Sequence, residues 1–368
     1  MTAQEQINAF ISLGKKNIQA NLSQTKKNIV FISYYPTYRS QYGNLVQKLK
    51  QKYNVITVVD RILNDTFEKS SHFNILFPWR VVENGETYYL NADIEGIDLI
   101  ITADEVGYLD GKIDREFLSK SAKRIYMPHR LTYDCGSTNQ VDYINVPSAS
   151  ALASFKQATK NTNITLLPCG YPQLDNLIAN YQYHNSNTIT YAPTLRYVDN
   201  VRNTDLNAFA GFDGNIIEWL LKNTNYNISY RAHPFNTASN HNFYSLIKAR
   251  FKEEKRLSFD EKQGYDYFNF SDFLITDWST TSFLYSYATL RPCFFYMPYP
   301  PKNTKENEYI LKDKLAKNFF TLKSLLSNID FAKEAQRFKK LREENIYNIG
   351  TSEEALIEKI DQILQGKL

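Results

Sequence analysis

The sequence predicts an α/β fold of two Rossmann-like domains, and three observations carry that expectation. Short continuous apolar runs alternate with amphipathic stretches along most of the chain. The alternation lapses once, around YQYHNSNT at residues 181–188, and then restarts. The 368 residues and 42.8 kDa are about twice what one hydrophobic core usually organises. Apolar strands without alternation, separated by helices, read as parallel sheets covered on both faces. The expected division is an N-terminal domain over 1–185 with a leading helix and a C-terminal domain over 186–368. The last helix of the second is placed to pack back on the first.

Residues 3–27 carry Ile7, Phe10, Ile11, Ile18 and Leu22 at the spacing of one helical face, with Lys15, Lys16, Lys26 and Lys27 among the polar positions. Such a helix packs on the domain that follows or rests on a membrane surface, and both readings stay open. The first series of strands is NIVFISY at 28–34, VITVV at 55–59, FNILF at 73–77, DLIIT at 98–102, RIYM at 124–127, DYINV at 142–146 and ITLLP at 164–168. Helices are expected near 40–52 and from Ser148. The second series is TITYAP at 188–193, NISYRAHP at 227–234, FLIT at 273–276 and CFFY at 293–296, with helices near 241–253 and from Ser279. SEEALIEKIDQILQ at 352–365 opens on a Ser and paired Glu, which favour a helix N-terminus.

Composition narrows the function classes. A hydrophobic share of 43% and a charged share of 22% describe a globular chain. The net charge of +4 is too small for the electrostatic footprint of a dedicated nucleic-acid binder. Cys135, Cys169 and Cys293 are odd in number and lack CxxC spacing, which suggests neither a disulfide framework nor a zinc site. The first residues lack a signal-peptide core, and no run approaches the ~18 apolar residues of a membrane span. A cytoplasmic protein is expected. The aromatic excess, 27 Tyr and 23 Phe, suits stacking on sugars or nucleobases and equally suits aromatic cores.

Open parallel sheets bind ligands outside the carboxyl ends of their strands, so the residues there are the candidates. FLIT runs into DWSTT, which sets Ser279, Thr280 and Thr281 at a helix start, where unpaired backbone N–H groups and the macrodipole favour an anion such as a diphosphate. Ser279 is alternatively a plain N-cap. NISYR is followed by Ala232, His233 and Pro234. Arg231 there suits a phosphate, and His233 suits proton transfer or a phosphate hydrogen bond, with a structural histidine as the alternative. Thr194 and Arg196 end TITYAPTLR and either line a nucleotide site or serve as ordinary loop residues. In the first half His129 follows RIYMP and can take a proton from an acceptor hydroxyl. Arg130 and Asp134 follow it, and the Gly-Tyr-Pro turn containing Tyr171 is expected to shape the acceptor-side wall.

The ordered set MPH, VDYINVPS, LPCGYPQLD, TITYAPTLR, RAHP and DFLITDWSTTSFLYSYATLRP, over roughly 124–296, resembles the CDP-glycerol glycerophosphotransferase family of teichoic-acid and capsule polymerases, with a GT-B fold. KKNIVFISYYP resembles that family's opening strand. The resemblance implies that CDP-glycerol or a related nucleotide-activated donor binds mainly to the C-terminal domain. A hydroxyl of a polysaccharide or lipid-linked acceptor then attacks the distal phosphorus and expels CMP. By position His129 matches the family's N-domain catalytic histidine and His233 its second histidine, with Arg231 before it. Ser279 and Thr280 match the paired phosphate-contacting hydroxyls. This chain departs from the family in carrying Arg130 after the first histidine instead of Gly, Asp134 instead of Lys, and Leu284 where an acid often stands.

The expected activity is therefore transfer of a polyol phosphate, glycerol phosphate foremost, in cell-envelope polymer synthesis. No tightly bound cofactor is expected, Mg²⁺ remaining free to accompany the diphosphate. No Asp-x-Asp triplet occurs, which disfavours a metal-bridged donor site. The alternatives are a GT-B glycosyltransferase using a CMP- or UDP-sugar, a non-catalytic subunit of a capsule assembly complex, and a sugar-nucleotide epimerase of the same build. Polymers of this kind are made on lipid carriers, so peripheral contact with the inner membrane face is also expected, through the N-terminal helix and the basic stretch RFKKLREEN.

Overall fold

The structure, a computed structural model, describes residues 3–33, 40–59, 75–76, 80–83, 86–89, 93–103, 117–131, 141–196, 213–238, 242–262, 264–277, 279–298 and 313–368. Two compact units emerge, Met1–Asn176 with Asn345–Leu368, and Leu177–Glu344.

The strands of the first unit are β1 (Asn28–Ser33), β2 (Asn54–Val59), β3 (Ile75–Leu76), β4 (Arg80–Glu83), β5 (Glu86–Tyr89), β6 (Leu99–Thr102), β7 (Lys123–Tyr126), β8 (Tyr143–Asn145) and β9 (Thr165–Leu167). Seven of them form one sheet in the order β3-β2-β1-β6-β7-β8-β9, every pairing parallel. β4 and β5 form a separate antiparallel hairpin. The helices of this unit are α1 (Ala3–Ala20), α2 (Leu45–Lys50), α3 (Ala149–Ala158) and α4 (Pro172–Asn180), whose last turn passes into the second unit.

Strand β1 shows why its sequence is apolar without alternation. Ile29 and Phe31 join a core with Leu45 and Leu49 of α2, whereas Val30 and Ile32 join an opposite core with Ile18 of α1, Ile94 and Phe117. Both faces are thus buried, as a parallel sheet requires. The burial of Ile18 also places α1 against the sheet, while Leu13 on the same helix is exposed.

The second unit holds β10 (Thr188–Tyr191), β11 (Asn227–Tyr230), β12 (Leu257–Phe259), β13 (Phe273–Thr276), β14 (Cys293–Tyr296) and β15 (Leu315–Ala316), ordered β12-β11-β10-β13-β14-β15 and all parallel. Its helices are α5 (Asp213–Asn223), α6 (Pro234–Ala238), α7 (Asn242–Arg250), α8 (Thr281–Thr289), α9 (Phe319–Ser327) and α10 (Phe331–Asn345). Ile189, Tyr191, Ile228, Tyr230, Phe273 and Ile275 pack with Ile216, Ile217 and Leu220 of α5. On the other side, residues 282–289 of α8 are all buried.

Residues 177–185 lie with the second unit because their neighbours are stitched to the loop before β13. The backbone N–H of His184 donates to the Asn269 carbonyl (2.7 Å), and that of Thr188 to Asp272 Oδ2 (2.9 Å). The final helix, α11 (Ser352–Leu364), lies with the first unit, where Leu356, Ile360 and Ile363 complete the core beside α2. Asp175 holds its start by accepting from the Ser352 N–H (2.9 Å) and the Gly350 N–H (2.7 Å). Among the described residues no helix is long and apolar enough to cross a membrane.

Both sheets reverse strand order beside their first strand, β1/β6 in one and β10/β13 in the other. The chain diverges on either side of that point, which is where open sheets of this kind bind ligands. Each unit therefore carries its own ligand-binding topology.

Candidate functional site

In the second unit the switch point lies between the ends of β10 and β13, with the end of β11 alongside. These three ends carry Thr194, His233 and the Ser279–Thr281 segment, so the sequence-predicted residues share one edge of one sheet.

The loop after β13 begins with Asp277, which is buried and accepts the Thr194 N–H (2.8 Å). Two residues on, Ser279 and Thr281 are half-buried and Thr280 is exposed. Thr280 stands at the N-cap of α8 without a side-chain cap bond, and Ser279 Oγ reaches the Thr281 N–H only at 3.4 Å. A helix start capped this weakly, with half-buried and exposed hydroxyl residues beside it, suits an anion.

At the end of β11, Ala232 is buried and His233 half-buried. Pro234 opens α6, where its missing N–H is no loss, and the His233 carbonyl accepts the Asn236 N–H (2.7 Å). Burial, followed by the nearby Arg231 cation, pulls the His233 pKa down to about 4. The imidazole is neutral near pH 7, and so offers one donor and one acceptor.

Arg231 has its own partners. Its Nη1 donates to Asp260 Oδ2 (2.6 Å), its Nη2 donates to the Gly264 carbonyl (2.7 Å), and its guanidinium lies 4.3 Å from the Tyr267 ring centre. These donors serve the loop after β12, and the effect of Arg231 at the strand end is on its neighbour His233, whose protonation it opposes.

Arg196 corrects the expectation that it lines a nucleotide site. Its side chain is 2% exposed and ion-paired with Asp277 through Nη1 and with Asp213 Oδ1 through Nη2 (2.8 Å). Tyr191 and Tyr230 also donate to Asp213, at 2.6 and 2.9 Å. Burial alone would weaken the arginine's charge, but Asp213 and Asp277 outweigh it and hold the guanidinium above its ordinary pKa. Burial raises the Asp277 pKa, Arg196 opposing. The guanidinium is thus a structural cation inside the unit. Nothing in TITYAPTLR distinguishes it from a surface arginine, because its partners lie 17 and 81 residues away.

In the first unit His129 follows β7, half-buried, with Arg130 exposed beside it. The Leu131 carbonyl accepts from Ser148 Oγ (2.8 Å), which anchors the loop. Asp134 lies outside the described residues. Tyr171 is the second correction: it is buried, and its hydroxyl donates to Gln41 Oε1. It braces the segment after β1, where Gln173 Nε2 also donates to Ser40 Oγ (2.5 Å). The turn before it is fixed by Gly170, whose φ of +93° only glycine adopts readily. Among the described residues no three His, Cys, Asp or Glu side chains are grouped to hold a metal ion.

Sequence reasoning passed over Asp277, Asp213 and Asn236. Asp277 did carry a signal, a carboxylate directly after four buried apolar residues. Asp213 and Asn236 carried none.

Solved structures resemble this architecture over nearly the whole chain. A structure of the wall teichoic acid polymerase TagF matches at 17% identity with a TM-score of 0.61, covering 99% of this chain and 95% of that one. The S. aureus MnaA–UDP co-structure matches at 14% identity and a TM-score of 0.60, covering 92% and 97%. UDP-GlcNAc 2-epimerase from Methanocaldococcus jannaschii, in complex with UDP-GlcNAc and UDP, matches at 12% identity and a TM-score of 0.54, covering 91% and 99%. At these identities the likeness is one of fold. No protein of curated function matches the chain in sequence. The two Rossmann-like units give the chain a GT-B-like α/β fold, as the sequence predicts. Residues 118–309, more than half of the chain, match CDP-Glycerol:Poly(glycerophosphate) glycerophosphotransferase, and the chain belongs to that family.

Proposed function

We propose that this protein transfers a polyol phosphate, glycerol phosphate foremost, from a CDP-activated donor to a hydroxyl of a growing cell-surface polysaccharide or teichoic-acid-like polymer. One observation carries the reading: the family match spans His129, Arg231, His233 and the Ser279–Thr281 helix start, and the latter two follow β11 and β13, the strands on either side of β10 at a switch point. TagF has been solved after soaking with CDPG, which supports a nucleotide-activated donor for this architecture.

In this reading the α8 N-terminus, with Ser279, Thr280 and Thr281, binds the diphosphate, and Thr194 lies beside it. His129 takes the proton of the acceptor hydroxyl. The acceptor oxygen forms a bond to the distal phosphorus, and the bond from that phosphorus to the bridging oxygen breaks. CMP leaves with the bridging oxygen and the bond's electron pair, and a phosphodiester remains on the acceptor. Neutral His233 donates a hydrogen bond to phosphate oxygens as charge moves onto the leaving group. Positioning and preorganised dipoles supply most of the acceleration, as in other phosphoryl transfers. Mg²⁺ enters this scheme only as a companion of the diphosphate. We place the protein at the cytoplasmic membrane face, where lipid-linked acceptors are extended, with the exposed face of α1 toward the lipid surface.

The test is CMP release from CDP-glycerol and CDP-ribitol, alongside UDP- and CMP-sugars, in the presence of a polymer acceptor. The expected result is acceptor-dependent CMP release that falls by roughly 10²–10⁴-fold in His129→Ala. Turnover of sugar nucleotides alone would replace this reading with glycosyl transfer. Undiminished polymer formation by His129→Ala and His233→Ala would replace it with a binding role.

A further inference from the structure

The three strand-end loops of the second unit are tied together by one buried assembly. Arg196 is its centre: the side chain pairs with Asp277, which leads into the Ser279–Thr281 segment, and with Asp213 at the start of α5. The backbone of the same residue forms a reciprocal pair with the Asn236 side chain. The Arg196 N–H donates to Asn236 Oδ1 (2.9 Å), and Asn236 Nδ2 donates to the Arg196 carbonyl (2.7 Å). Asn236 is 1% exposed, and its own N–H is bonded to the His233 carbonyl. Asp277 closes the circuit by accepting the Thr194 N–H. Every connection between the loops bearing Thr194, His233 and Ser279 in this circuit therefore runs through Arg196, Asp277 or Asn236.

Such an assembly does more than fill space. Apolar packing would bring the loops together but leave them free to slide by fractions of an ångström. Directional bonds in a buried setting fix their register, because an unmade bond there leaves a desolvated group unpaired. A displacement of about 1 Å at reacting groups costs on the order of 100-fold in rate. We propose that Arg196, Asp277 and Asn236 are positioning residues that set His233 against the start of α8. The inference rests on the proposed donor role of those strand ends. It assigns Arg196 to positioning instead of ligand contact.

Asn236→Asp is the discriminating variant, since the protonated carboxylic acid reproduces both amide bonds, its O–H donating to the Arg196 carbonyl and its C=O accepting the Arg196 N–H. Ionisation removes the donor. The titratable and charged groups linked to the new acid are Arg196, whose backbone it bonds, Asp213 and Asp277 on that residue's guanidinium, and His233, whose carbonyl accepts the N–H of residue 236. The expected result is a variant-to-wild-type ratio of kcat that falls on the order of 10-fold from pH 5.5 to pH 8, with little change in donor KM. Asn236→Ala should lower kcat at every pH by on the order of 10- to 100-fold while remaining folded by circular dichroism.

Hydrogen exchange of the ligand-free full chain reads the same linkage without activity. Asn236→Ala should increase exchange together in peptides covering 192–196, 231–237 and 279–283. Increase confined to 231–237, or kcat of both variants within twofold of wild type at all pH values, overturns the clamp. If wild type turns over no cytidine diphosphate compound but the three peptides still respond together, the clamp stands and the functional reading alone fails.

Discussion

Replacing Asp213 by Ala measures how strongly the second unit depends on its buried polar centre. The carboxylate is fully buried and accepts from Tyr191 Oη, Tyr230 Oη and Arg196 Nη2 at 2.6, 2.9 and 2.8 Å. Truncation leaves two phenol hydroxyls without their acceptor, at roughly 1–3 kcal/mol each, and removes a charge-assisted bond of about 1.5–3 kcal/mol. One effect opposes this. Arg196 faces two carboxylates, and removing one leaves a matched pair with Asp277. Water entering the vacated space also satisfies part of the loss. The balance is a destabilisation of about 4 kcal/mol, within the range for breaking buried ion pairs. Glu218→Ala is the control. It pairs with Lys222 and Arg250, all three side chains at least 37% exposed, and should cost far less than Asp213→Ala. Urea denaturation of the full chain, with hydrogen exchange on the β10 and β11 amides, reports both variants. An Asp213→Ala loss no larger than that of Glu218→Ala would refute the network as a source of stability.

Three further outcomes follow from single sites. The unfolded His233 takes up a proton near pH 6.5, whereas the native residue resists it until about pH 4. Stability should therefore fall as pH drops through that window, by roughly 2 kcal/mol after allowance for partial exposure, and be unaffected above pH 7; thermal melts of His233→Gln should lack that part of the slope. Gly170→Ala should cost roughly 2–4 kcal/mol, because φ is +93° and a Cβ would meet the Tyr347 carbonyl oxygen at 2.2 Å. Gly350→Ala, at φ +78° with nothing within 4 Å of the added carbon, should cost about 1 kcal/mol in the same denaturation assay.

The strands most plainly legible in the sequence are those buried on both faces. NIVFIS, LIIT, FLIT and CFFY have no polar residue to break the apolar run before its end. The short partly exposed β12 and the two-residue β15 lack that run, and they form because a neighbouring strand offers its edge. Helix α5 escaped the reading because it follows a stretch without clear periodicity. The position of the histidines and hydroxyls just past strand ends was legible, since each follows an apolar run whose end the sequence marks. The destination of an arginine was not. Arg196 and Arg231 both follow strands, yet local sequence says nothing about which carboxylate folds against each.

That fate of the arginines bears on how an anion would be held. Two cations at the strand ends, free in solution, would attract a diphosphate but would also hold its product. Here Arg196 is outnumbered by two carboxylates and Arg231 is matched by Asp260, so neither presents an uncompensated charge. On the proposed reading, what remains toward a donor is the α8 dipole, hydroxyls and a neutral imidazole. Oriented dipoles interact most strongly with charge placed where they point. They favour the geometry in which charge shifts from the distal phosphate to the bridging oxygen over an equally charged ligand displaced from it. On the proposed reading, the buried ion pairs consume the arginines' long-range attraction and return it as fixed geometry at His233 and Ser279.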